Sequence, residues 1–170
     1  MDTYSDQGYA FVDINPITQD FLDTVNVKIN ISLNKKVYIN RITISGNTRT
    51  QDVVIRREIG ISEGGLYSRS ALRNSILKLR RLGYFSDVKM NASKVEGMPD
   101  KIDLSFIVEE TKTGTISFSV SHSNNYGISV GAGIQEKNIF GSGNTLNAEL
   151  KLSESFNKAS FYFQNPNFNG

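Results

Sequence analysis

The chain is 170 residues long, 38% hydrophobic and 21% charged, enough for one ordinary domain or two small ones with a sizeable core. A formal net charge of +2 excludes a global field directed at nucleic acid or an anionic membrane surface. The absence of cysteine excludes disulfide staples, thiolate metal sites and cysteine nucleophiles, and leaves the redox compartment open.

At the N-terminus, Met1-Asp2-Thr3-Tyr4-Ser5-Asp6 has neither the basic nor the apolar region of a signal peptide, so none is expected. No apolar run approaches the roughly 20 residues of a spanning helix. Gly8-Tyr9 leads into Ala10-Phe11-Val12, a turn is expected at Asn15-Pro16, and Val25, Val27, Ile29 and Ile31 alternate as a strand. Residues 37–45 alternate again, with Val37 and Ile39, then Ile42 and Ile44 after a shift at Asn40-Arg41. Gly46-Asn47 ends that strand. Thr48 or Thr50 is expected to cap a short helix over 51–59, with Asp52 in its first turn and Ile55 and Ile59 facing a core. Gly60 is its expected stop, and Gly64-Gly65 a turn.

Ser68 caps a second predicted helix, about 69–82, whose apolar stripe is Leu72, Ile76, Leu79 and Leu82, with Gly83 beyond its end. Strands follow over 84–95 (Phe85, Val88, Met90, Ala92) and 101–110 (Ile102, Leu104, Phe106, Val108), joined by an expected turn at Gly97-Met98-Pro99-Asp100. Strand, helix, helix, strand, strand in about 75 residues is a small α+β module with two helices on a three-stranded sheet.

Part of this module occurs twice. The Gly-Tyr pair recurs at an offset of 75, and the strand from Asp23 matches the one from Asp100 at an offset of 77. Fixed-period similarity marks tandem modules. Residues 1–36 are therefore expected to be the C-terminal hairpin of a preceding module, in a piece of a longer protein.

Composition changes near Lys112-Thr113. Residues 1–112 carry 30 of the 36 charged side chains, and 113–170 carry six. The second part alternates strictly. Ile116, Phe118 and Val120 oppose Ser117, Ser119 and Ser121. Ile128, Val130, Ala132 and Ile134 follow, then Leu146, Ala148, Leu150 and Leu152, then Ala159, Phe161 and Phe163, stopping near Asn165-Pro166. Four strands of this kind fit the hairpins of a transmembrane β-barrel. A soluble antiparallel sheet with one wet face has the same period. Polar faces of Ser, Gly and Asn, charges near strand ends, and Tyr126, Phe140 and Phe156 near the turns favour the membrane reading. Four strands cannot close a barrel.

Chemistry is sparse. A single histidine, His122, supports no catalytic triad or metal centre. Gly131-Ala-Gly133 lies within a strand, not in a dinucleotide loop. The basic helix lacks the aromatic interleaving of a nucleic-acid site. No enzyme activity, cofactor, metal or nucleic-acid partner is expected.

The motifs Ile42-Thr-Ile-Ser-Gly-Asn47, Val54-Ile-Arg-Arg-Glu58, Leu79-Arg-Arg-Leu-Gly-Tyr-Phe85, Val108-Glu-Glu-Thr111 and Asn138-Ile-Phe-Gly-Ser-Gly-Asn144, with Asn165-Pro166, resemble in order and spacing the BamA family of outer-membrane protein assembly factors. In that family, tandem POTRA modules precede a barrel. The resemblance implies the end of one POTRA module over 1–36, a complete last module over 37–112, and the first four strands of a 16-stranded barrel over 113–170. It implies location in the bacterial outer membrane with POTRA modules in the periplasm, a lipid bilayer around the strands, and unfolded outer-membrane proteins as clients.

Residue by residue, the resemblance implies that Arg56, Arg57 and Glu58 meet a BamD-like lipoprotein of the assembly complex. It also implies that the edge strand with Asp87, Val88, Lys89, Met90 and Asn91 takes client segments by β-augmentation. Ile116, Ser117, Phe118, Ser119 and Val120 would template client strands. Related POTRA-barrel transporters (TamA-like or two-partner secretion) share the layout. A soluble periplasmic interaction protein with an all-β second domain is the rival of a different class.

Overall fold

A computed structural model describes residues 2–21, 24–124 and 127–166. The chain forms two compact units, neither continuous in sequence. One comprises Met1–Ser45, Glu58–Lys78 and Val88–Ile107, the other Gly46–Arg57, Leu79–Asp87 and Val108–Gly170.

In the first unit a short helix, α1 (Asp2–Ser5), precedes a hairpin of β1 (Val12–Phe21) and β2 (Thr24–Leu33). The turn expected at Asn15-Pro16 is absent, since both residues lie inside β1, Pro16 opposite Ile29. A two-stranded sheet leaves every strand an outer edge, and there a proline's missing N–H breaks no ladder bond. Val25, Val27, Ile29, Ile31 and Leu33 form an exposed apolar row on β2.

β3 (Tyr38–Ser45) runs parallel to β5 (Met98–Glu110), with the register shift falling between Ile39 and Arg41 as the broken alternation implied. β4 (Phe85–Val95) completes the sheet, in the order β3-β5-β4. The β4–β5 turn is Glu96-Gly97 alone, two residues earlier than expected, and Met98, Pro99 and Asp100 already belong to β5. Ile102, Leu104, Phe106 and Val108 are all buried. Each such side chain contributes about 1.5–3 kcal/mol by leaving water.

α3 (Arg69–Arg81) buries Leu72 and Leu79, and leaves Ile76 and Leu82 half-buried. Its N-terminus is capped as expected: Ala71 N–H donates to Ser68 Oγ at 3.1 Å. Asp6 adds a carboxylate there. It accepts bonds from the Ser70 N–H at 2.9 Å and from the Ser68 and Ser70 hydroxyls, which hold its carboxyl below the ordinary range.

α2 (Asp52–Arg56) is shorter than the expected 51–59. Its N-cap residue is Gln51, with no side-chain cap bond. Thr50 does not cap; it is buried, and its groups bond elsewhere. Val54, Ile55 and Ile59 are buried, the last beyond the helix end.

In the second unit, β6 (Gly114–Ser123), β7 (Gly127–Ile139), β8 (Asn144–Ser153) and β9 (Asn157–Gln164) form an antiparallel meander, β6-β7-β8-β9. The four expected strands are present, and β7 continues past Gln135 to Ile139. Tyr126, an expected interfacial aromatic, lies outside the described residues.

Candidate functional site: two open strand edges and a buried joint

The register of the meander sorts its side chains into rows. One face carries Ile116–Ile134–Ala148–Phe161 and Phe118–Ala132–Leu150–Ala159; the other carries Ser117–Gly133–Glu149–Ser160 and Thr115–Gln135–Asn147–Tyr162. Both faces of β6 and β9 are open, and in β7 the apolar residues are the more exposed set. Ile116 is 69% exposed, Phe118 81% and Phe161 71%. A shallow hollow of about 570 Å³ on it is lined by Ile116, Phe118, Ala132, Ile134, Leu150 and Phe161 among others. A contiguous apolar surface of this kind, backed by a Ser- and Gly-rich face, is what lipid-facing barrel strands present.

β6 ends the meander, so among the described residues one of its edges is unpaired. The Lys137 N–H donates to the Thr113 carbonyl at 3.4 Å. Antiparallel pairs alternate between bonded and non-bonded. Ser117/Gly133 and Ser119/Gly131 are then bonded pairs, and the amides and carbonyls of Ile116, Phe118 and Val120 point to the open edge. On the polar face Ser117 Oγ donates to the Gly133 carbonyl at 3.4 Å, and the Ser121 and Ser129 hydroxyls lie 2.7 Å apart.

The three-stranded sheet also has two edges, and they differ. Along β3, the Ile39 N–H donates to the Gly65 carbonyl at 2.9 Å and the Gly64 N–H to the Ile39 carbonyl at 2.7 Å. Glu63 Oε1 accepts the Ile42 N–H at 2.8 Å, and Tyr38 bridges Leu66. That edge is thus occupied by residues 63–67, whereas β4 has, among the described residues, β5 as its one strand neighbour. Of the expected edge residues, Val88 is a core side chain at 1% exposure. Asp87 is paired with Arg80 at 3.4 Å. Lys89 and Asn91 are exposed and Met90 half-buried. Met90 lines a groove of about 450 Å³ with Tyr67, Arg69, Leu72, Arg73 and Ile76.

Arg56, Arg57 and Glu58 do not share one environment. Arg56 Nε binds Asp52 Oδ2 at 2.5 Å within the helix. Arg57 Nη2 lies where a side chain on Gly143 would begin, 2.5 Å from an ideal Cβ there. Glu58 is half-buried.

A further cluster was not anticipated. Asn138 is 2% exposed. Its Nδ2 donates to Thr50 Oγ1 at 2.9 Å, and its Oδ1 accepts the Gly143 N–H at 2.8 Å. The Gln51 N–H donates to the Gly141 carbonyl at 2.9 Å, and the Tyr84 hydroxyl to the Gly143 carbonyl at 3.3 Å. Gly141 has φ +71°, and a Cβ on it would sit 1.9 Å from the Arg49 carbonyl oxygen, so only glycine fits. Glu110 holds the other side of loop 46–50. It accepts the Thr50 N–H at 2.6 Å, the Arg49 N–H at 2.9 Å and the Thr48 hydroxyl at 2.8 Å. Burial pushes its carboxyl up, but these bonds outweigh burial and bring it down to about 2. The β7–β8 turn is thereby fastened to loop 46–50 and to Tyr84. Glu110, Asn138, Gly141 and Gly143 belong to the motifs Val108–Thr111 and Asn138–Asn144, but the sequence carried no signal that pairs these with loop 46–50.

The POTRA family model, described as surface antigen variable number repeat, matches residues 37–111. The chain is 32% identical over 163 residues to the outer membrane protein assembly factor BamA of Neisseria meningitidis, covering 95% of this chain and 20% of that one. It is 35% identical over 170 residues to BamA of Nitratidesulfovibrio vulgaris, covering 99% and 21%. The crystal structure of BamA from Haemophilus ducreyi lacking POTRA domains 1–3 aligns with a TM-score of 0.88 at 27% identity, over 97% of this chain and 31% of that one. The chain thus spans about a fifth of the length of the curated relatives it matches.

Proposed function

Residues 37–111 belong to the POTRA family and nearly the whole chain is homologous to BamA, and from that premise we propose that it is part of a factor that inserts β-barrel proteins into the bacterial outer membrane. Residues 37–112 are its last periplasmic module, and 113–170 begin its transmembrane barrel. Residues 1–36 are the closing hairpin of a preceding module; the uncovered row Val25–Leu33 on β2 is the face such a module would pack. The observation that carries the reading is the four-stranded sheet with an uncovered row of large apolar side chains on one face and Ser, Gly and Asn on the other.

The chemistry is an exchange of backbone hydrogen bonds. An unpaired amide in hydrocarbon costs several kcal/mol, so a client strand crosses the bilayer only if a partner is ready. The open edge of β6, with the backbone groups of Ile116, Phe118 and Val120, supplies that partner in the membrane. The outer strand β4, over Asp87–Asn91, takes that role in the periplasm. Neither needs a cofactor. In the full-length protein, cysteines at Ser117 and Ser119 are expected to crosslink to a client during insertion. Crosslinks confined to the protein's own last barrel strand would contradict the reading.

Glu58 and its sequence neighbours Arg56 and Arg57 form the contact for a BamD-like lipoprotein of the assembly complex. Glu58→Lys is expected to weaken capture of that lipoprotein while the module keeps its unfolding midpoint. Unchanged capture would remove the assignment.

A further inference from the structure

We infer that Glu136 sets the register of β6, the strand proposed above to pair with clients; the inference rests on that reading. All ten residues of β6 are exposed, and its one strand partner among the described residues is β7. Along the strand, nothing in the side chains selects one alignment. On the polar face Ser117, Ser119, Ser121 and Ser123 meet Gly133, Gly131, Ser129 and Gly127. On the apolar face Ile116, Phe118 and Val120 meet Ile134, Ala132 and Val130. Both patterns repeat every two residues. A slide by two keeps most serines over glycine or serine, and apolar over apolar. The contacts are close, since a Cβ on Gly131 would stand 2.5 Å from Ser119 Oγ, but after a slide another serine meets that same glycine. Gly-rich strands of this kind specify register weakly.

The base of the strand is different. Glu136 is a carboxylate at the end of the apolar face, in the row Gly114–Glu136–Leu146–Phe163. Its Oε1 accepts the Thr113 hydroxyl and, at 3.0 Å, the Asn138 N–H. Its Oε2 lies 3.1 Å from Arg49 Nη2. Thr113, the residue before β6, is 7% exposed, and its carbonyl accepts the Lys137 N–H. A two-residue slide moves Thr113 by about 6.8 Å, beyond reach of any of these partners. The three-residue connection 124–126 limits slippage at the far end, and at the base register is held by Thr113 and Glu136. The edge offered to clients is thereby held at one height relative to loop 46–50.

The experiment is disulfide trapping in the full-length protein in membranes, using the absence of cysteine from this chain. Phe118→Cys is paired with Ala132→Cys (opposite), with Val130→Cys or Ile134→Cys (two residues off), and with Gly131→Cys (one off, other face). With Glu136 intact, only the opposite pair should crosslink. Glu136→Ala should raise the two-off pairs at least tenfold and leave the one-off pair unchanged. Glu136→Gln, which keeps an acceptor for Thr113 and Asn138, should restore the single register. Three results would overturn the inference: two-off pairs that stay at background in Glu136→Ala, two-off and one-off pairs that rise together, or two-off pairs that already form with Glu136 present. No client takes part in this readout, so client crosslinking at Ser117 and Ser119 tests the underlying reading separately.

Discussion

β5 and β6 are joined by three residues and alternate with the same period, yet the apolar row of β5 is buried and that of β6 is open. In β5, Leu104 and Phe106 are 0% exposed; in β6, Phe118 is 81% exposed. The polar partners differ as well. Alternate residues of β5 include Lys101, Asp103 and Glu109, which suit water, whereas those of β6 are Ser117, Ser119 and Ser121. A two-residue period says that a strand has two faces. It does not say which face meets solvent, or what the solvent is. The charge density of the polar face carries that information, and the uncovered apolar rows of β6–β9 agree with it.

Substitutions can break this comparison. The largest effect should come from Phe106→Ala, which opens a cavity in the module and is expected to cost about 3–5 kcal/mol in chemical denaturation of the periplasmic part. Phe118→Ala should change that same transition by no more than about 0.5 kcal/mol. Equal losses would mean that both phenylalanines serve one aqueous core. Next is Asn138→Ala, which leaves the Gly143 N–H and Thr50 hydroxyl without their partner in a buried place. A loss of about 1–3 kcal/mol is expected, seen as faster amide exchange at Gly143 and Gln51. Ser68→Ala removes the α3 cap, for about 1 kcal/mol, read from the module's melting.

The smallest effect is on pH. Glu110 is depressed from the ordinary 4.5 to about 2, so its contribution is complete above about pH 4.5 and is lost as pH falls toward 2. Exchange at the Arg49 and Thr50 amides should accelerate within that window. Glu110→Gln should abolish the pH dependence.

Much of this architecture was legible. Alternation marked β3, β5 and the four-strand meander, and even the shift at Asn40-Arg41 appeared as a broken alternation. Ser68 was readable as a cap because capping is local. The failures were places where a distant group overrides a local signal. Thr50 looked like an N-cap, but Glu110 takes its amide and Asn138, 88 residues away, takes its hydroxyl. Asn15-Pro16 looked like a turn, but the outer edge of a two-stranded pair tolerates proline. The joint around Asn138 was invisible for the same reason: each residue is an ordinary polar side chain until the fold brings it to its partner. The difference between the two edges of the three-stranded sheet comes from residues 63–67 occupying β3, a pairing no periodicity encodes.

The central claim is that the apolar face of β6–β9 meets lipid. The direct measurement is fluorescence quenching in the full-length protein, reconstituted in bilayers of brominated lipid, with a fluorophore attached to a cysteine at one position at a time. Labels at Phe118 and Phe161 should be strongly quenched, and labels at the neighbouring Ser119 and Ser160 should not. Equal quenching at all four positions, or none at Phe118 and Phe161, would contradict the account.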